Sequence, residues 1–97
     1  MITRIVRMTF HPEFIEAFIE QFSTVQPKIL QMKGCQGVEL FHDSKYDNIM
    51  TTISHWNSED DLNSYRSSTL FQDTWHTTKK MFCAKPVAET YYKIKSH

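Results

Sequence analysis

The sequence is poor in the residues that build nucleotide loops and disulfide frameworks. Its 97 residues include only two glycines and two cysteines. The glycines, Gly34 and Gly37, cannot form a glycine-rich phosphate loop, which excludes Rossmann and Walker-type nucleotide binding. Cys35 and Cys83 are far apart and match no zinc or redox spacing. Two reduced, partly buried and inert thiols are expected, with a bridge or a reactive thiol as the alternative. No apolar run approaches the roughly 20 residues that cross a bilayer. The opening stretch MITRIVRMTFHPE alternates like a strand and lacks the apolar core and cleavage site of a signal peptide, so a cytoplasmic location is expected. Charge of either sign is also missing in excess: eleven Lys and Arg balance eleven Asp and Glu. Binders of duplexes and of membrane surfaces usually carry a basic surplus, so neither partner is expected. A neutral chain also does nothing to keep its own copies apart.

What is present is enough to fold. Hydrophobic residues make up 40% of the chain and aromatic residues 13%, far from the composition of disorder. A chain of this size buries about 65% of its unfolded surface, which supports one core and one domain over residues 1–97.

The first strand is read from Ile2 to Phe10. Ile2, Arg4, Val6, Met8 and Phe10 share one face, and Thr3, Ile5, Arg7 and Thr9 the other, so cover on both sides is expected. His11-Pro12-Glu13 opens a helix. Phe14, Phe18, Phe22, Val25, Ile29 and Met32 then form one apolar stripe, and Glu13, Glu16, Glu20 and Lys28 fall off it. Pro27 is expected to kink or break that helix, and Gly34 to stop it. A second strand follows over 37–42, a polar turn over 43–48 and a third strand over 49–56, which together make a hairpin. Ser58 caps a short helix whose first turn holds Glu59, Asp60 and Asp61. Ser67, Ser68 and Thr69 offer a fresh cap, with Thr69-x-x-Gln72 fitting a capping box. The next helix carries Phe71, Trp75, Thr78 and Phe82 on one face and ends at Pro86; the last strand is Val87 to Lys95.

The order βαββαβ, with its second helical segment broken in two, predicts an α+β ferredoxin-like fold: a four-stranded antiparallel sheet with helices on one face. The other face, carrying Ile5, Thr9, Phe41, Thr51, Ile53 and one of Tyr91 or Tyr92, is left bare. A bare face of that kind predicts a homodimer, sheet against sheet, with a monomer bearing a solvated face as the alternative.

At this point the chain resembles the antibiotic biosynthesis monooxygenase family, small dimeric α/β-barrel proteins with a ferredoxin-like protomer. Three stretches carry the likeness: ITRIVRMTFHPEFIEAFIEQF, KGCQGVELFHD and SHWNSEDDLNSYRSSTLFQDTW, the last with its strand-ending Trp and Ser/Thr-capped helix. The family is similar to enzymes that oxygenate phenolic substrates without metal or flavin. The resemblance therefore implies no cofactor, and a pocket between sheet and helices for a small aromatic ligand. One branch resembles haem-degrading enzymes with an Asn on the first strand, a Trp ending the third and a His on the last helix. Here the Trp falls on Trp56, but the Asn position falls on Val6, give or take one residue, and the His position on Trp75, beside His76. One residue along a helix turns a side chain about 100°, so haem degradation is not expected.

The candidate site residues follow. Trp56 and Trp75 are to wall the pocket; the alternative is a core Trp anchoring the helix joint for Trp56 and, for Trp75, a member of an aromatic stripe, which is more often core. Tyr65 is to orient the substrate, Arg66 to stabilise an enolate or phenolate, and His76 to accept the proton; the alternatives are a part-buried Tyr, a solvated Arg and a surface His. Val6 and Phe22 complete the expected lining. Arg4 and Arg7 lie on opposite strand faces, so one shares a face with apolar residues. It would suit an anionic ligand, or else pair with Glu39 or Glu89. His42 and His55 end the two hairpin strands as possible neighbours. With Asp43 and His11 they show no metal-ligand spacing, so no metal is expected. Two readings from different classes remain: an oxygenating enzyme, and a binding or sensing module with the same pocket. A structural dimer with a filled core is the third.

Overall fold

A computed structural model describes residues 1–94. Strand β1 (Ile2–Thr9) leads through one turn of 3-10 helix (Pro12–Phe14) into α1 (Ile15–Leu30). Strands β2 (Cys35–His42) and β3 (Ile49–Trp56) form the hairpin; α2 (Glu59–Arg66), α3 (Thr69–Lys79) and β4 (Val87–Tyr92) complete the order. The sheet runs β2-β3-β1-β4, antiparallel throughout, and it is open within the chain. This is the α+β ferredoxin-like arrangement expected from the element order. The expected end of the last strand at Lys95 lies outside the described residues.

Register sorts the sheet into two faces. Ile5 pairs with Ile53 and with Glu89, and Glu39 pairs with Ile53. Thr3, Ile5, Arg7, Thr51, Ile53, Phe41, Glu39, Glu89 and Tyr91 therefore share the face away from the helices. No element among the described residues covers it, and Phe41 and Tyr91 are exposed there. The other face carries Ile2, Met8, Met50 and Trp56, which are buried with Val38 and with Phe18, Phe22 and Ile29 of α1. Packing of the α1 stripe on this face holds the layers together, since burying each such side chain stabilises by about 1.5–3 kcal/mol. Gln26 Nε2 adds a hydrogen bond to the Val38 carbonyl at 2.8 Å, tying α1 to β2.

Local chemistry explains where the elements end and where expectation fails. Helix α1 does not break at Pro27 but runs on to Leu30. Pro27 and Ser23, whose carbonyl loses its partner, are both exposed, so water satisfies it. Gly34 stops the following turn with φ +81°, and a Cβ there would lie 2.2 Å from Asp61 Oδ2, so α2 can approach only a glycine. Ser58 caps α2 by accepting from the Asp61 amide at 3.1 Å. The cap of α3 is Ser68, which accepts from the Phe71 amide at 3.2 Å. Gln72 bonds the Arg66 carbonyl instead, so the expected Thr69–Gln72 capping box does not form. Helix α3 ends at Lys79, well before Pro86. Phe82 therefore lies beyond the helix, where it bridges to Phe10 beside the sheet.

Candidate functional site

Between the helical layer and the sheet lies a cavity of about 290 Å³. Strand β1 contributes Arg4, Val6 and Met8, and β3 contributes Thr52, Ser54 and Trp56. Helix α1 supplies Phe22 and Val25, α2 supplies Tyr65 and Arg66, and α3 supplies Phe71, Thr74 and Trp75. The helices place these groups by their spacing: Phe71, Thr74, Trp75 and Thr78 recur on one face of α3.

The wall is a run of aromatic rings. Trp56 and Tyr65 stack with centroids 4.9 Å apart and planes at 23°. Tyr65 meets Phe71 edge-on at 5.2 Å, and Phe71 stacks on Trp75 at 5.9 Å with planes at 10°. Phe82, Phe10 and Phe18 carry the run into the core. Trp56 is fully buried, with 0% exposure, and its indole N–H donates to Ser54 Oγ at 3.0 Å. It backs the wall from behind Tyr65.

Polar groups in the cavity divide into occupied and available. Ser54 is taken by Trp56. Gln21 Nε2 donates to Thr78 Oγ1 at 2.8 Å, and that hydroxyl donates to the Thr74 carbonyl at 2.7 Å. Among the described hydrogen bonds the Tyr65 hydroxyl has no protein partner, and Arg4 spends one donor on Thr90 Oγ1 at 2.9 Å. Burial first, and then the neighbouring Cys35 thiolate, push the Tyr65 hydroxyl up to about 12, so near neutrality it is a donor and not a base. Burial also raises the Cys35 thiol. Burial, and then the charge of Arg66, lower Arg4.

The structure brings Val6, Phe22, Trp56, Tyr65, Arg66 and Trp75 to one cavity. It leaves His76 exposed on α3 and outside the described lining, because Trp75, one position earlier, takes the inward direction. Arg4, not Arg7, is the arginine that shares the apolar face. It cannot pair with Glu39 or Glu89, which belong to the other face. His42 and His55 are not neighbours: His42 pairs with Met50 beside the turn, and His55 pairs with Gly37 near the opposite end. The last residues of two antiparallel hairpin strands lie at opposite ends, which rules out the imagined cluster. Phe71 and Thr74 are lining residues that the sequence reading omits, although their spacing from Trp75 and Thr78 signals them.

The Tyr65 environment makes a prediction. Its folded value lies above the ordinary 10, so it contributes stability below pH 10 that is lost as the pH rises towards about 12. The loss should be on the order of 2 kcal/mol. Tyr65→Phe should remove one tyrosine's amplitude above pH 11 from the alkaline absorbance titration, in which the hydrogen-bonded Tyr91 and Tyr92 are also raised; if the amplitude lost in that variant sits at pH 10, Tyr65 is solvated.

Fold and cavity together define an open-sheet ferredoxin-like protein with a hollow of ligand size under its helices. The family model described as antibiotic biosynthesis monooxygenase matches residues 1–77, and the chain belongs to that family. A crystal structure of an antibiotic biosynthesis monooxygenase superposes with a TM-score of 0.90 at 17% identity, covering 98% of this chain and 100% of that one. A conserved protein from Methanosarcina mazei Go1 gives a TM-score of 0.90 at 18% identity, covering 97% and 94%. Rv0793 from Mycobacterium tuberculosis gives 0.89 at 12% identity, covering 98% and 96%. Identities this low establish the shared fold. No curated protein matches the sequence significantly. No helix among the described residues is long and apolar enough to cross a membrane.

Proposed function

We propose that the cavity binds a planar phenolic or quinol-type aromatic and that the protein oxygenates it without a metal or flavin. The observation that carries this reading is the aromatic-walled hollow of about 290 Å³, with a few polar groups from both the sheet and the helices. The family name points the same way. The chemistry balances without a further reductant. A deprotonated phenol or anthrone gives electrons to dioxygen and forms a C–O bond. Loss of water then leaves C=O where C–H stood, with one oxygen atom in the product and the other in the water. The protein's tasks are to seat the ring against Tyr65, Phe71 and Trp75, to hold the anion and to exclude bulk water.

Metal-free protein in an oxygen electrode should oxidise anthrone faster than buffer does, one dioxygen per anthrone. Tyr65→Phe should slow the reaction by about tenfold or more through loss of the hydroxyl donor. If His76→Ala slows it as much, proton transfer returns to His76. A second reading, a binding or sensing module without chemistry, is favoured by one observation: the described lining holds no Asp, Glu, His, Lys or Cys to act as a base. Binding of anthrone with no oxygen consumption above the buffer rate selects that reading.

The same proposal has two copies meeting through the bare sheet face. That face leaves Phe41, Val87 and Tyr91 exposed in the lone chain. The face carries both signs, Arg7 on β1 with Glu39 on β2 and Glu89 on β4, so a two-fold arrangement has opposite charges to match.

A further inference from the structure

Two guanidinium groups, Arg4 from β1 and Arg66 from the end of α2, are the only charged groups in the described lining of the cavity. The described lining contains no carboxylate to neutralise either of them. Register explains why none reaches Arg4 from the sheet. Its cross-strand partners are Ser54 and Thr90, while the strand carboxylates Glu39 and Glu89 pair with Ile53 and Ile5 on the opposite face. Glu89 is engaged there by the Tyr91 hydroxyl. Glu59, at the start of α2, accepts from the Tyr92 hydroxyl at 2.5 Å. The neighbouring charge that acts on Arg4 is therefore a second cation, Arg66. Two like charges gathered at a half-dry hollow are costly unless something negative joins them, because burial strengthens their repulsion. The same lining offers no base, so a ligand that must be anionic to react has to arrive ionised or be ionised by this field.

We infer that the cavity selects a planar aromatic that carries a carboxylate, with the carboxylate seated between Arg4 and Arg66 and the ring against Tyr65, Phe71 and Trp75. The inference rests on the proposed aromatic-binding reading and narrows it from neutral phenols to aromatic acids. Arg4 is held by Thr90, which leaves the rest of its fork free. Arg66 is exposed and brings its side chain from the helix side. A carboxylate between them accepts from both, which is the geometry in which charge-assisted bonds are strongest.

The test uses three probes of one shape: 2-naphthoate, naphthalene-2-carboxamide and 2-naphthol, each titrated against the quenching of Trp56 and Trp75 fluorescence at pH 7. The carboxylate should bind on the order of tenfold tighter than the isosteric amide and the neutral naphthol. That advantage should shrink with added salt. Arg66→Gln, an exposed substitution, should bring the affinities for acid and amide within about twofold of each other, and Arg4→Gln should do the same if it folds. Equal binding of acid and amide by the native protein overturns the inference and leaves the aromatic cavity reading intact, as does an acid preference that survives in Arg66→Gln and is insensitive to salt. Failure of all three probes to bind overturns both.

Discussion

Trp56→Ala should cost the protein about 3–5 kcal/mol, the range for deleting a fully buried Trp. The expected total is only about 5–15 kcal/mol for a domain of this kind. The urea midpoint should therefore fall by about 1 M or more, given slopes of about 1–3 kcal/mol per M. The reason is position. Trp56 is completely buried at the end of β3, pairs in register with both Ile2 and Cys35, donates to Ser54, and carries Tyr65 on its ring face at 4.9 Å. Its removal leaves a void, frees a buried hydroxyl and unseats the one tyrosine that faces the ligand space. Trp56→Phe keeps a ring under Tyr65 and should recover more than half of the loss. A midpoint shift of less than about 0.5 M for Trp56→Ala would mean that the indole is a replaceable wall and not a keystone of the core. The effect on ligand binding should then be indirect, through Tyr65, and should track stability across other substitutions at this position.

The same residue shows what a sequence can and cannot convey here. The strand ending at Trp56, the Ser58 cap and the α1 stripe were all legible, because periodicity and capping are local and the residues that cause them are adjacent in sequence. Three hydroxyls in a row, Ser67-Ser68-Thr69, left the cap of α3 ambiguous by one residue; the bond from the Phe71 amide decides it for Ser68. That Phe82 lies past the helix end was hidden, since its pairing with Phe10 is long-range. At the site, the stripe Phe71, Trp75, Thr78 already put Trp75 on the inward face, and His76, about 100° further round the helix, falls outside the described lining. The seating of Arg4 followed from strand alternation, but the absence of a facing carboxylate needed the register. Strand β4 is the least transparent. It is exposed along its whole length in the lone chain, yet two of its six residues are Tyr. The proposed partner copy would cover its outward residues, Val87, Glu89 and Tyr91.

Ile53→Lys should convert the protein from a dimer to a monomer. Ile53 lies on the bare face, paired with Ile5 on one side and Glu39 on the other, and it is only half-buried within its own chain. In a two-fold interface built on this face, each copy brings the same residue, so one substitution places two ammonium groups near the axis. Each must lose water or hold the sheets apart, and each faces a like charge. Desolvating an ammonium costs several kcal/mol, which the cross-strand Glu39 offsets only in part, so the dimer should weaken by about a hundredfold. Light scattering at micromolar concentration should find the native protein near twice 11.5 kDa and the variant near 11.5 kDa. Folding of the variant should be intact, because the residue lies outside the core, and the urea midpoint extrapolated to low protein concentration should match that of the native chain. A native mass of 11.5 kDa removes the interface altogether. A variant that stays dimeric moves the interface to another surface and leaves the cover of Phe41, Val87 and Tyr91 to be found elsewhere.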